Sequence, residues 1–231
     1  MSYKYEFNKD YCPYRKVCKL YDTRDCNGSC IRYMKMHYLL ENSLLTKKQQ
    51  TPVKLLPDDV DIKAYEDLDA IKRNIVEFVN NGKNLVICSA STGNGKTTWA
   101  VKLMMKYFSE IWSTDSFNTR GLFINVAKYL SELKSNISQK SDYIKHIREN
   151  VLDADIVIWD DLGSKDMTQF EFDEIFSIIE NRVELGKTNI CTSNNTKEKL
   201  KEMFGDRLYS RLVIGGKLIV FYGKDHRGGS L

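Results

Sequence analysis

The chain has 231 residues, 42% of them hydrophobic, and a formal net charge of +4. That length holds one full α/β domain with a small appendage, and the composition is that of an ordinary soluble protein with ample material for a core. No apolar run reaches the roughly 18 residues of a membrane span, and the opening MSYKYEFNKDYCPYR lacks the apolar region of a secretory signal, so a cytoplasmic protein with no membrane partner is expected.

Charge is unevenly placed. Residues 1–50 carry 10 Lys and Arg against 5 Asp and Glu, while residues 51–231 carry 25 against 26. The N-terminal surplus suits an acidic partner or nucleic acid, or simply a solvated face.

Residues 1–41 contain four of the six cysteines, Cys12, Cys18, Cys26 and Cys30, written C-x5-C-x7-C-x3-C. A helical pattern, IRYMKMHYLLEN, follows with Ile31, Met34, His37 or Tyr38, and Leu39 at core-like spacing. So short a segment cannot bury enough surface to fold alone, and a reducing compartment argues against disulfides, so the cluster reads as a small metal-binding module. Zn²⁺ on four thiolates is the first expectation, with an iron–sulfur cluster or no metal as alternatives; His37 could replace one thiolate. Cys88 and Cys191 fall in apolar segments and read as small buried hydrophobes.

Residues 42–60 hold two of the three prolines and no period, which marks an extended linker ahead of a core domain over 61–231. A helix is expected from Ile62 to Asn81, with Leu68, Ile71, Ile75 and Val79 or Phe78 on one face and Gly82 as its stop. Five apolar segments then alternate with helical ones: Leu85–Ser89, Gly121–Val126, Asp155–Trp159, Asn189–Thr192 and Lys217–Tyr222. Such alternation implies an α/β fold with a mostly parallel five-stranded sheet and ligand-binding groups at the strands' C-terminal ends. A polar helical stretch, Ala127 to Val151, carries Lys128, Lys134, Lys140, Lys145 and Arg148.

The first of these segments ends in a phosphate-binding loop, LVICSASTGNGKTT from Leu85 to Thr98. Small residues from Ser91 through Thr92, Gly93, Asn94 and Gly95 let backbone N–H groups turn inward around phosphates, with Thr98 continuing into a helix. Lys96 supplies a charge for the β- and γ-phosphates, and the Thr97 hydroxyl is a Mg²⁺ ligand. Ala90 stands where the first glycine of G-x-x-x-x-G-K-[ST] belongs, so it must turn without positive φ.

DIVIWDDLG, Asp155 to Gly163, is a hydrophobic strand ending in two carboxylates, a Walker B pattern. Asp160 is placed to hold the Mg²⁺ shell opposite Thr97, and Asp161 to orient or deprotonate the attacking water. In TNICTSNN the amide of Asn194 stands at the next strand tip, either as a sensor bridging the γ-phosphate and the attacking water or as the N-cap of the helix beginning near Lys197, a cap that Asn195 or Thr196 could supply instead. FGDRLYSRLVIGG puts Arg207 and Arg211 four residues apart on one helical face, where either could be an arginine finger for a neighbouring subunit or an ion pair with Asp206 or Glu202.

In this order, P-loop, DD-type Walker B, T-S-N sensor and G-D-R-x-x-x-R-L segment, the chain resembles the AAA+ ATPases of the DnaC/DnaI replicative helicase-loader family. The resemblance covers about residues 62–227, including the closing KLIVFYGKDHR, and extends loosely to the cysteine-bearing module. It implies an AAA+ core, a slow ATPase stimulated by assembly or DNA, and Arg211 as the finger. It further implies an ATP-dependent oligomer that grips a hexameric DnaB-type helicase through the N-terminal module and loads it on single-stranded DNA, with Lys128 and Lys134 as candidate DNA contacts. IstB-type transposition ATPases share the core and are the nearest alternative; a P-loop kinase and a nucleotide-gated adaptor with little hydrolysis are the others.

Overall fold

In the computed structural model, residues 7–113, 117–135, 141–164 and 167–223 are described. Lys140 of the expected polar helix and Lys224 to Arg227 of the closing segment lie outside them.

Five strands form one parallel sheet: β1 (Leu85–Cys88), β2 (Gly121–Asn125), β3 (Ile156–Asp160), β4 (Thr188–Ser193) and β5 (Lys217–Val220), in the order β2-β3-β4-β1-β5. β1, β3 and β4 are buried along their whole length. The near-continuous apolar runs of β1 and β3 are what a parallel sheet covered on both faces demands, whereas β4 buries Thr188, Asn189, Thr192 and Ser193 around Ile190 and Cys191.

Alternate side chains of the strands feed two separate cores. Ile87, Ile156, Ile158 and Ile190 pack with Leu103, Met104 and Phe108 of α5 (Lys96–Glu110). Val86, Val157, Trp159 and Cys191 pack on the other side with Ile144 and Ile147 of α7 (Asp142–Asn150) and with Ile175 and Ile179 of α8 (Gln169–Glu184). Each fully buried aliphatic side chain contributes about 1.5–3 kcal/mol, so the two-faced burial of β1, β3 and β4 fixes the strand tips that carry the chemistry. Burial also pushes the Cys88 and Cys191 thiols up to about 11 and 12, in keeping with an inert packing role.

The N-terminal segment is seated on the first of these layers. α1 (Ile31–Asn42) buries Tyr33, Met36 and Leu39, whereas Ile31, expected on the core face, is 63% exposed. The helix turns its Met36–Leu39 ridge onto the core shared with α5, which leaves Ile31 of the first turn facing away. Arg32 lies over the Trp112 ring at 4.1 Å, and the Tyr14 hydroxyl donates to the Ser109 carbonyl at 3.3 Å, both at the C-terminal end of α5. Downstream, the Ser43 carbonyl accepts from Phe123 N–H of the edge strand β2 at 2.7 Å.

Within the expected linker, a short helix, α2 (Lys47–Gln50), is closed by a Thr46–Gln49 capping box, and the chain then runs extended. The helix expected over 62–81 is two, α3 (Ile62–Arg73) and α4 (Ile75–Asn80). Asn74 interrupts it by turning its amide back on the Ala70 carbonyl at 3.3 Å, offering the backbone an alternative to the helical ladder. Leu68, Ile71, Ile75 and Val79 are nonetheless all buried, and Gly82 stops the run at φ +58°. The polar stretch after β2 is likewise two helices, α6 (Val126–Ser135) and α7, the first beginning immediately at the strand end. No helix among the described residues is long and apolar enough to cross a membrane.

Candidate active site

The tips of β1, β4 and β3 are neighbours in the sheet, and at their C-terminal ends they bring the phosphate-loop sequence, Asn194 and the Asp160 and Asp161 carboxylates together. Gly93 and Gly95 take φ values of +72° and +92°, so the loop wraps in a conformation a side chain would resist, while Ala90 turns without positive φ, as expected. The loop opens directly into α5, whose first N–H groups present the positive end of the helix to an anion.

Lys96 is only 6% exposed. Its ammonium donates to the Ser91 carbonyl at 2.7 Å and to Asn94 Oδ1 at 2.9 Å, and the Asn94 amide in turn donates to the Ser89 hydroxyl at 2.6 Å. Asn94 is thus a buried prop for the lysine. Ser91 gives its own N–H to Ser89 Oγ, so its contribution is a carbonyl for Lys96.

On the facing strand, Thr97 Oγ1 donates to Asp160 Oδ1 at 2.7 Å and Thr192 Oγ1 donates to the same oxygen at 2.8 Å. Burial pushes the Asp160 carboxyl above its ordinary value; the Thr97 and Thr192 hydrogen bonds oppose that shift, and the charge of Asp161 adds to it. Asp161 follows in left-handed backbone, φ +62°, with its N–H on Thr192 Oγ1 at 3.0 Å and its carboxylate accepting from the Asn194 amide at 2.5 Å. Thr196 accepts from Lys199 N–H as the N-cap of α9 (Lys197–Tyr209), which frees Asn194 for the strand tip.

A cavity of about 530 Å³ opens over these groups, lined by Thr92 to Thr98, Asp160, Asp161, Thr192 and Asn194. Val53, Lys54 and Leu55 close it from the extended segment before α3, and Leu55 lies 3.3 Å from where a Cβ on Gly95 would stand. A slightly larger but more open hollow near the α3–α4 break, lined by Arg73, Glu77 and Glu110 among others, contains none of these groups. Sequence reasoning missed Thr192 and the Val53–Leu55 segment. For Thr192 a signal existed, since it is a hydroxyl at the C-terminal end of the strand that leads into Asn194, where ligand-binding groups gather in a parallel sheet.

The other expected site residues stand elsewhere. Arg211 donates to Glu184 Oε1 at 3.0 Å, and Arg207 reaches Glu184 and Glu180, each at 3.4 Å. Their partners are α8 carboxylates, because Asp206 and Glu202 are taken by Lys201 and Lys199. Gly205, at φ +65°, kinks α9 ahead of both arginines; Arg207 lies in the last turn of α9 and Arg211 in the π-helical turn Ser210–Ile214 that follows, and Glu184 joins the two. Lys128 lies 4.2 Å over the Tyr143 ring and Lys134 pairs with Glu171 at 2.9 Å.

Cys12, Cys18, Cys26 and Cys30 are free and half-buried, and among the described residues no three His, Cys, Asp or Glu side chains are grouped to hold a metal ion. Cys12 and Cys18 pack against the hydrophobic core, and burial raises the Cys12 thiol.

Thr97 and Asp160 meet a different requirement. A hydroxyl and a carboxylate in contact beside a phosphate loop are the hard oxygen donors that suit Mg²⁺, which keeps most of its other ligands from water and substrate phosphates.

A family model described as IstB-like ATP binding protein matches residues 32–214. The chain belongs to this family. Among relatives of the IstB-like chain is the replicative helicase loader DnaC of Escherichia coli strain K12, 21% identical over 163 residues, or 71% of this chain and 60% of DnaC. The match therefore spans less than two thirds of that protein.

Solved structures share the fold. The crystal structure of the DnaC helicase loader superposes with a TM-score of 0.59 at 22% identity, covering 72% of this chain and 93% of that one. DnaI gives 0.58 at 18% identity over 78% and 96%, and AMPPCP-bound DnaA from Aquifex aeolicus gives 0.53 at 21% over 78% and 51%. The parallel five-stranded core with its P-loop is consistent with the AAA+ core that the resemblance implied.

Proposed function

We propose that this ATP-binding chain is an ATPase that loads a hexameric DnaB-type replicative helicase onto single-stranded DNA. The observation that carries the reading is the convergence of Lys96, Thr97, Asp160, Asp161 and Asn194 on one cavity, in a fold shared with the DnaC loader. Thr97 and Asp160 would hold Mg²⁺, which when bound neutralises charge on the β- and γ-phosphates. Lys96 binds the same phosphates as a point charge.

In the hydrolytic step, a water oxygen bonds to the γ-phosphorus as the bond to the β–γ bridging oxygen breaks. ADP leaves with that electron pair, and the water's proton passes toward the Asp161 carboxylate, with Asn194 orienting the water. Asp161 has a shorter arm than the Glu usual in such ATPases, which favours slow turnover. Arg211 of one subunit would complete the site of the next, so assembly drives hydrolysis.

The N-terminal segment would grip the helicase and the exposed ends of Lys128 and Lys134 would meet DNA. Zn²⁺ on Cys12, Cys18, Cys26 and Cys30 belongs to the same reading; it is supported by the spacing of four free thiols and requires them to draw together. Elemental analysis tests it, one zinc per chain being expected and a metal-free or iron-bearing protein refuting it.

The deciding experiment mixes the protein with a replicative DnaB-type helicase and measures complex mass with and without ATP. An ATP-dependent complex supports the loader. The IstB-like family match favours a second reading, a transposition ATPase, which is indicated by capture of a transposase and no binding to the helicase.

A further inference from the structure

We propose that Thr192 is a positioning residue of the hydrolytic centre, whose side-chain oxygen locks both Walker B carboxylates into one frame. The inference rests on the reading of Asp160 as a Mg²⁺ holder and Asp161 as acceptor of the water's proton.

Thr192 is 2% exposed on β4, the strand that lies between β3 and β1, so its backbone is registered against Ile87 of the P-loop strand while its side chain meets the Walker B tip. A hydroxyl has one proton to give and two lone pairs to receive with. Thr192 gives its proton to Asp160 Oδ1 at 2.8 Å and receives the Asp161 N–H at 3.0 Å. The neighbouring backbone is zipped to the same strand: Leu162 N–H donates to the Thr192 carbonyl at 2.8 Å, and Ser193 Oγ donates to the Leu162 carbonyl at 2.6 Å.

The arrangement has a reason in Asp161. At φ +62° it occupies a conformation unfavourable to any residue with a Cβ, and such strain persists only where the surroundings over-determine it. The Thr192 acceptor supplies that determination at the N–H, which places the carboxylate where the Asn194 amide meets it. Of the two hydroxyls on Asp160 Oδ1, that of Thr97 belongs to the metal's donor set. Thr192 therefore keeps Asp160 fixed whether or not the metal is bound. A threonine in a strand is by itself unremarkable, since β-branched residues suit strands for packing alone. Here both halves of its hydroxyl are engaged by the two carboxylate-bearing residues.

The test compares Thr192→Val, which keeps the β-branched shape and removes the hydroxyl, with Thr192→Ser, which restores it. Three readouts are taken on the full chain: thermal unfolding, affinity for a fluorescent ATP analogue without Mg²⁺ and with it, and single-turnover hydrolysis at saturating ATP. Thr192→Val is expected to keep metal-free affinity within about twofold, to lose most of the gain in affinity that Mg²⁺ confers, and to slow hydrolysis by about tenfold or more. Thr192→Ser should recover most of both.

A valine variant that retains the Mg²⁺ gain overturns the proposal, as does a serine variant as impaired as the valine one. If Thr192→Val does not fold, Thr192→Ser and Thr192→Cys decide it, the weaker thiol bond giving an intermediate Mg²⁺ gain if the proposal holds and no change if it fails. Should the wild type bind ATP but never hydrolyse it, the ATPase reading falls while the Mg²⁺ comparison still judges Thr192. Unchanged nucleotide binding by Lys96→Ala, run in parallel, would instead overturn the site reading beneath it.

Discussion

Thr97 and Asp160 lie 63 positions apart in the chain and meet at 2.7 Å, hydroxyl to carboxylate, across the gap between α5 and β3. On the function proposed above, this contact holds together the two oxygen donors that would bind Mg²⁺, and such preorganisation lowers the reorganisation a Mg²⁺–ATP complex demands.

Asp160→Asn is therefore expected to leave the fold intact and to abolish the carboxylate's share of metal binding. Hydrolysis should fall by about 10²–10³, the scale of losing one preorganised electrostatic group, with the loss unrelieved by excess Mg²⁺. A phosphate-release assay across a Mg²⁺ titration checks this; near-normal turnover would remove Asp160 from the site.

Lys96→Ala should weaken ATP binding by about 1.5–3 kcal/mol, the range of a lost charge-assisted hydrogen bond. Isothermal titration with ATP measures it. Because Asn94 is bonded to the same ammonium, Asn94→Ala should weaken binding by a smaller amount, through a lysine less firmly held.

Much of this site could be read from local spacing. A parallel strand buried on both faces shows as an unbroken apolar run, so LVIC and IVIWD announced β1 and β3, and Gly95-Lys96-Thr97 and Asp160-Asp161 followed from the strand ends. Relations set by tertiary packing were not legible. Nothing in the sequence says that Glu184 on α8 would collect both Arg207 and Arg211, that Asn74 would turn on the Ala70 carbonyl and split a helix, or that Leu55 of a featureless linker would come to rest against Gly95. Periodicity also misled on α1, because that helix mixes polar and apolar residues around its circumference, and packing on α5 selected Met36 and Leu39.

Arg182 supplies a stability test. It is fully buried and donates to Asn189 Oδ1 at 2.9 Å, to the Ala154 and Thr188 carbonyls at 2.8 and 2.7 Å, and to the Val151 carbonyl. Asn189 Oδ1 also accepts from Trp159 on the Walker B strand at 3.0 Å. Arg182→Met leaves several buried acceptors unpaired and should cost at least about 3 kcal/mol, read by urea denaturation with Trp fluorescence as the probe.

Glu171 gives the pH dependence. Its carboxylate is held down to about 2, first by Lys134 and then by the Thr168 N–H and hydroxyl of the α8 capping box. A depressed folded value means that its stabilisation is fully present above the unfolded value of 4.5 and is lost as pH falls toward about 2. Glu171→Gln keeps the capping geometry without the charge. The melting temperature of this variant should lie below that of the wild type at neutral pH, and the gap should close on acidification through that window. A gap that is constant with pH would show that the Lys134 pair contributes nothing.

Arg211, with Arg207, is held by Glu184 and does not line the cavity of its own chain. A finger acting on the neighbouring subunit is expected to be outside its own site, and an exposed ion pair worth about 0–1 kcal/mol is weak enough to be exchanged for a γ-phosphate. Arg211→Ala should bind ATP as the wild type does and lose assembly-dependent hydrolysis by about 10³ or more. Mixing Arg211→Ala with Lys96→Ala should restore part of that activity, because each Lys96→Ala subunit lends its intact Arg211 to a neighbour with an intact P-loop. Phosphate release from the mixture exceeding the sum of the two parts is the expected result. If Arg207→Ala alone produces the loss, the finger is Arg207 and Glu184 is holding Arg211 for structure.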